Sequence, residues 1–192
     1  MRKNCYRQSR PAKGFTLVEL LVVIALAATL TMIAIPALRD MIMRNRIQAA
    51  SSEFQSALAI ARGEAIKRGG DAKVTIVANT GTAASPNWAS GVTVFYDTTL
   101  NANGNVPPTD ATTLLMSTSP LSAGVTSTAN LNYITFNGYG RTISTSGAPL
   151  GGNIAFGATD STWRCVIINL QGRTRTVELT NANYVANGCP VS

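Results

Sequence analysis

The chain has 192 residues, of which 45% are hydrophobic and only 13% charged, about half the usual charged share. That length and composition suffice for one domain with a real core and exclude a disordered chain, which would combine high charge with few apolar residues. Sixteen Lys and Arg face nine Asp and Glu, a net of +7, and there is no histidine, which removes His-dependent dyads and triads and most zinc catalysis. The positive balance fits either nucleic acid or a membrane surface, so the location of the charge decides its meaning.

Residues 1–13 hold Arg2, Lys3, Arg7, Arg10 and Lys13 and no acid. From Phe15 to Ile35 run 21 residues with a single charge, Glu19. As a helix this run is about 31 Å long, close to the hydrocarbon thickness of a bilayer. The basic leader predicts a cytoplasmic N-terminus and translocation of the chain beyond the apolar run, although Arg39, Arg44 and Arg46 weaken the asymmetry. The apolar run is longer than a secretory signal core, and no small-residue cleavage site comes after it. A plain signal anchor accounts for the length but not for Glu19, since a carboxylate in hydrocarbon costs about 2.5–3.5 kcal/mol and is usually functional.

The segment Lys13-Gly14-Phe15-Thr16-Leu17-Val18-Glu19-Leu20 resembles the class III signal of type IV pilins and type II secretion pseudopilins. The resemblance implies cleavage after Gly14 by a prepilin peptidase/N-methyltransferase and N-methylation of Phe15 as the new N-terminus. It further implies that Glu19 neutralises the N-terminal amine of a neighbouring subunit. Opposite charges in a low-dielectric bundle favour one register, which agrees with that role. Pro36 also fits the pattern; it removes a backbone donor and is expected to kink or locally melt the helix.

Helical spacing continues beyond Pro36. Leu38, Met41 and Ile42 cluster, and Ile47, Ala50, Phe54, Ala57, Leu58, Ala61 and Ala65 come after them in steps of three and four. Arg39, Arg44, Arg46, Glu53, Arg62, Lys67 and Arg68 take the other positions, giving an amphipathic helix with its apolar stripe on a core. Its basic face is either a solvated surface or a contact for acidic headgroups or nucleic acid. Gly69-Gly70 is a stop signal. A helix over 15–68 would span about 80 Å if straight, more than one small domain needs internally.

After Gly70, Thr, Ser, Asn and Gly dominate, with short β-branched runs between turn signals. Strands are expected at 73–78, 92–96, 112–117, 131–136, 141–144, 153–156, 163–170 and 173–179, with hairpin turns at Asn137-Gly138 and Gln171-Gly172. One long helix succeeded by antiparallel strands is an α+β order. Several segments are similar to the GspH/FimT branch of the pilin-like proteins. They are Trp88-Ala-Ser-Gly91 running to Phe95 and Asp97, Asn103-Gly104, Ile134-Thr-Phe136 with Gly140-Arg141, and the stretch from Cys165 to Gly172-Arg173-Thr174-Arg175. The resemblance implies a pilin-like fold in four parts: a leader over 1–14, a membrane half-helix over 15–36, an amphipathic half-helix over 37–70, and a periplasmic β-rich domain over 71–192.

Cleavage of the leader would remove Cys5 and leave Cys165 and Cys189 in an oxidising compartment. A bridge between them would close a loop of about 25 residues and stabilise by roughly 3–4 kcal/mol in the chain-entropy model; two free thiols are the alternative. Asp97, Asn101, Asn103 and Asn105 have a spacing faintly like a calcium loop but lack the bidentate Glu, so polar turn chemistry competes with a cation there. No cofactor is expected.

Arg173 and Arg175 alternate with threonines, share one strand face roughly 7 Å apart, and continue into Val177 and Leu179. They are expected where the strand leaves the core, with Arg164 adding charge. Either they bond carbonyls or a carboxylate such as Glu178, or their guanidinium forks engage phosphates. In FimT-like members the G-R-x-R motif is implicated in binding double-stranded DNA during natural transformation, which supports the second reading by resemblance.

With no histidine, no nucleophile–base pair and no phosphate loop, an enzyme is not expected. The resemblance implies a minor pilin or pseudopilin in the inner membrane that joins other subunits at the tip of a type IV pilus or type II secretion pseudopilus. Five of the sixteen basic residues belong to the leader, so residues 15–192 keep eleven against nine acids, a net of only +2. Most of the global basicity is therefore a topology signal.

Overall fold

The computed structural model describes residues 14–82, 85–97, 113–159 and 161–190. Residues 1–13, with Cys5, and Asn101, Asn103 and Asn105 lie outside them.

The first element is α1 (Leu17–Arg68), which begins two residues after Phe15 and ends before Gly69-Gly70 as expected. Pro36 lies inside it, and the helix continues through that position rather than melting there. The chain falls into two units, one ending at Arg39 and the other beginning at Asp40. In the first unit, residues 14–39 are all exposed, and the apolar run is long enough to cross a membrane. In the second unit, α1 buries Ile47, Ala50, Ser51, Phe54, Ala57, Leu58, Ala61 and Ala65. This is the stripe read from the three- and four-residue spacing. Its four alanines leave room for strands to pack close to the helix.

Two antiparallel sheets complete the second unit. The first holds β1 (Lys73–Thr82), β2 (Ser85–Asp97), β3 (Leu114–Ser117), β5 (Ile134–Asn137) and β6 (Thr142–Ile143), in the order β3-β2-β1-β5-β6. The second holds β4 (Thr126–Ala129), β7 (Gly152–Gly157), β8 (Trp163–Ile168) and β9 (Thr174–Leu179), in the order β4-β7-β8-β9. A short helix, α2 (Asn181–Asn187), comes last, capped by the Thr180 hydroxyl accepting from Asn183 N–H at 3.3 Å.

The core forms where α1 meets both sheets. Phe54 stands against Trp88 of β2, edge-on at 6.0 Å, and against Phe156 of β7 at 5.5 Å. The Trp88 indole N–H donates to the Leu131 carbonyl at 3.1 Å, which satisfies its one polar atom inside the core. Ile76, Val94, Ile134, Phe136, Ile154, Val166 and Ile168 fill the rest. A second, smaller cluster lies across the four-stranded sheet: Ala155, Trp163, Cys165 and Ile167, packed by Val177, Leu179, Tyr184 and Cys189. β8 is therefore covered on both faces from Cys165 onward, which explains why Cys165 to Ile168 read as a continuous apolar run rather than an alternation.

Three elements differ from expectation. β2 begins at Ser85, not 92, because residues 85–87 pair with the end of β1 past an irregularity between Ala78 and Thr80. Pro86 and Gly91 hide this extension in the sequence. β4 and α2 were not expected; both are short and polar, and long-range pairing or packing holds them.

Candidate functional site

At the start of α1 the Thr16 hydroxyl accepts from the Glu19 N–H at 3.2 Å, and the Thr16 carbonyl accepts from Leu20 N–H at 3.2 Å. Thr16-x-x-Glu19 is a capping-box sequence, so Glu19 favours the helix start electrostatically as well as carrying a charge. Its carboxylate is exposed and has no ion-pair partner among the described residues. Phe15, 84% exposed, precedes it, and Leu17, Val18, Leu20 and Leu21 are exposed around it.

Cys165 and Cys189 are joined in a disulfide, which resolves the choice between bridge and free thiols. The bond ties the C-terminal segment onto the outer face of the four-stranded sheet. Trp163 stacks on Tyr184 at 3.9 Å and donates from its indole N–H to Asn181 Oδ1 at 3.0 Å, holding α2 on the same face.

The candidate arginines sit at the β8–β9 hairpin. Ile167 pairs with Arg175 and Cys165 with Val177, so Arg173, Arg175, Val177 and Leu179 share the face read from their alternation. Val177 and Leu179 are half-buried, whereas Arg173 and Arg175 are exposed where the strand leaves the core. Arg164 differs from the others: its Nη2 lies 2.8 Å from Glu178 Oε2, directly across the β8–β9 pair. That bridge engages the one carboxylate expected to compete for Arg173 and Arg175. Arg173 has no ion-pair partner among the described residues. A concavity of about 470 Å³ is lined by Ile167, Asn169, Arg173, Thr174 and Arg175.

A larger concavity, about 680 Å³, lies at the end of α1 between Arg68, Asp71, Lys73, Tyr96 and Asp97. The Arg68 guanidinium covers the Tyr96 ring at 4.4 Å, and Thr75 donates to Asp97 Oδ2 at 3.3 Å. Asp97 is thus used in the sheet, and the rest of the calcium-like spacing lies outside the described residues. No group of three potential metal ligands occurs among the described residues.

Sequence reasoning missed how closely the two hairpin turns correspond. Asn137 Oδ1 accepts from the N–H groups of Tyr139 and Arg141 at 3.1 and 3.0 Å; Asn169 Oδ1 accepts from Gln171 and Arg173 at 3.1 and 2.8 Å. Gly140 and Gly172 both adopt φ +72°, so each loop is a three-residue turn closed by a left-handed glycine. In the first turn the left-handed residue is Gly140 rather than Gly138. The signal was present as a repeat, Asn-x-x-Gly-Arg-Thr, at 137–142 and 169–174.

A family model described as "Type II transport protein GspH" matches residues 50–172, and one described as "Prokaryotic N-terminal methylation motif" matches residues 9–35. The first match ends at Gly172, so Arg173 and Arg175 lie just beyond it. A comparison with curated protein sequences found no match. Among solved structures, the chain resembles the type IV minor pilin FimU of Pseudomonas aeruginosa. One crystal form gives a TM-score of 0.52 at 20% identity, covering 70% of this chain and 90% of that one. A second crystal form gives 0.49 at 19%, covering 68% and 91%. Taken with the methylation motif at its N-terminus and the long helix packed on antiparallel sheets, the match over residues 50–172 shows that this chain belongs to the GspH family of pilin-like proteins.

Proposed function

We propose that this chain is a minor pilin or pseudopilin that primes a filament, at the tip of a type IV pilus or a type II secretion pseudopilus. In this reading it enters the inner membrane as a precursor with its β-domain periplasmic. A prepilin peptidase cleaves after Gly14, and Phe15 is methylated. The observation that carries the reading is an apolar half-helix exposed along its whole length, with one unpaired carboxylate, Glu19, in its first turn. Such a surface gains stability by packing on lipid or on like helices, and a carboxylate buried there is stabilised by a cation from another chain. Glu19→Ala expressed in the native host should leave processing largely intact and reduce recovery in sheared or purified filaments at least ten-fold. Incorporation at the parental level would overturn this mechanism.

A second reading is favoured by the exposed, unbridged Arg173: the Gly172–Arg175 segment binds the phosphate backbone of double-stranded DNA. Phosphate contacts of this kind are sequence-independent and weaken with salt. The full-length chain in detergent should retard duplex DNA in gels at low salt, and the double variant Arg173→Ala/Arg175→Ala should lower affinity about ten-fold or more. Equal binding by parent and double variant would overturn it.

A further inference from the structure

The two Asn-x-x-Gly-Arg turns do more than share a geometry; they touch. A β-carbon at Gly172 would strike the Gly140 carbonyl oxygen, so the backbones of the two turns are in contact at that point. Thr142, the residue after Arg141, donates from its hydroxyl to the Asn169 carbonyl at 3.1 Å, lacing the β5–β6 hairpin to the start of the other turn. Thr142 is buried and Asn169 half-buried, so this bond is partly shielded from water. Arg141 and Arg173 each come directly after the left-handed glycine of their turn and each donates its backbone N–H to the turn asparagine, so both are placed by the same hydrogen-bond frame. Covalent geometry across the Gly140–Gly172 contact puts their Cα atoms about 10 Å apart or less.

Both side chains are exposed, and neither has an ion-pair partner among the described residues. Behind them, Arg62 of α1 has its Nε buried without a hydrogen-bond partner, 3.1 Å from where a β-carbon on Gly140 would stand. Three arginine positions therefore border one pair of contacting turns: Arg62 of α1 beside Gly140, and Arg141 and Arg173 in the turns themselves.

We propose that the paired turns form a single phosphate-binding surface, with Arg141 as a further binding residue beside Arg173. The inference rests on the nucleic-acid reading above and extends it to a second hairpin. Two planar forks held on one rigid frame can engage neighbouring phosphates of a strand bidentately, and Arg62 adds positive potential behind them. Because hydrogen bonds within each turn and between the turns fix the backbone, only the arginine side chains remain to be ordered on binding.

The test is a titration of the full-length chain in detergent with short duplex DNA of arbitrary sequence at several NaCl concentrations. Arg141→Ala should weaken binding roughly three- to ten-fold and reduce the slope of log K against log salt by about 0.9, one phosphate contact. Arg141→Lys should keep most of the slope and recover part of the affinity, since it restores the charge without the fork. Thermal unfolding of each variant checks that the turn is intact; if Arg141→Ala fails to fold, Arg141→Lys and Arg141→Gln take its place. Unchanged affinity and slope on loss of Arg141, with the Arg173→Ala/Arg175→Ala double variant weakened, would overturn the inference and leave the nucleic-acid reading standing. Unchanged binding in both would overturn both.

Discussion

Gly172 shows how a single residue decides the arrangement of two elements. Its φ of +72° disfavours any side chain, and a β-carbon would also meet the Gly140 carbonyl of the neighbouring turn. Gly147 is a useful contrast, with φ +82° but open space around the β-carbon position. Gly172→Ala should therefore cost about 2–4 kcal/mol, conformational strain plus displacement of the β5–β6 turn. Gly147→Ala should cost only about 1–2 kcal/mol, the conformational part alone. Chemical denaturation of both variants checks this; equal losses would mean that the turn–turn contact contributes nothing. Arg164 teaches the complementary lesson. Its charge looked available beside Arg173 and Arg175, but register alone places it opposite Glu178 and closes the bridge.

At the scale of elements, α1 from Ile47 onward was legible because its signal is local: apolar residues at steps of three and four mark a buried face whatever lies against it. β1, β5, β7 and β8 were legible for the same reason, as short β-branched runs between turn residues. The start of β2, the whole of β4 and α2 were not. Ser85 to Gly91 carries Pro86 and Gly91, Thr126–Ala129 has no apolar alternation, and Asn181–Asn187 is rich in poor helix formers. Each is held by a distant partner: the end of β1, the edge of β7, and the Trp163 ring with the disulfide. Reducing Cys165–Cys189 should thus release α2 while leaving the sheets in place. We expect a loss of about 3–4 kcal/mol in unfolding free energy, a weakened near-ultraviolet signal from the Trp163–Tyr184 stack, and a far-ultraviolet spectrum that keeps its strand signal while losing the small contribution of α2. Identical unfolding curves with and without reductant would show that the tail is held by packing alone.

The molecule as a whole divides its chemistry between its two units. The first concentrates exposed apolar surface and a single acid; the second has its own core, built from the rest of α1 and two sheets. Net charge means little at this scale, since residues 1–13 account for five of the seven net positive charges. Local charge means more: among the described residues Arg141 and Arg173 stand without ion pairs at one end of both sheets' hairpins, while Arg164 is bridged to Glu178, and Lys67 and Arg68 lie 3.5 Å from Glu64. Sequence alone determined the long helix, its apolar and amphipathic halves, the methylation signal, the α+β order and the alternation that puts Arg173 and Arg175 on one face. All of these are properties of neighbours along the chain, where period and composition speak directly. Only the tertiary structure decided that Cys165 reaches Cys189, that Glu178 engages Arg164, and that the turn carrying Arg141, 32 positions before Arg173 in the sequence, touches the turn carrying Arg173. Those pairings depend on strand register and on the contact of two turns from different sheets, and no local pattern encodes which distant backbone a glycine leaves room for.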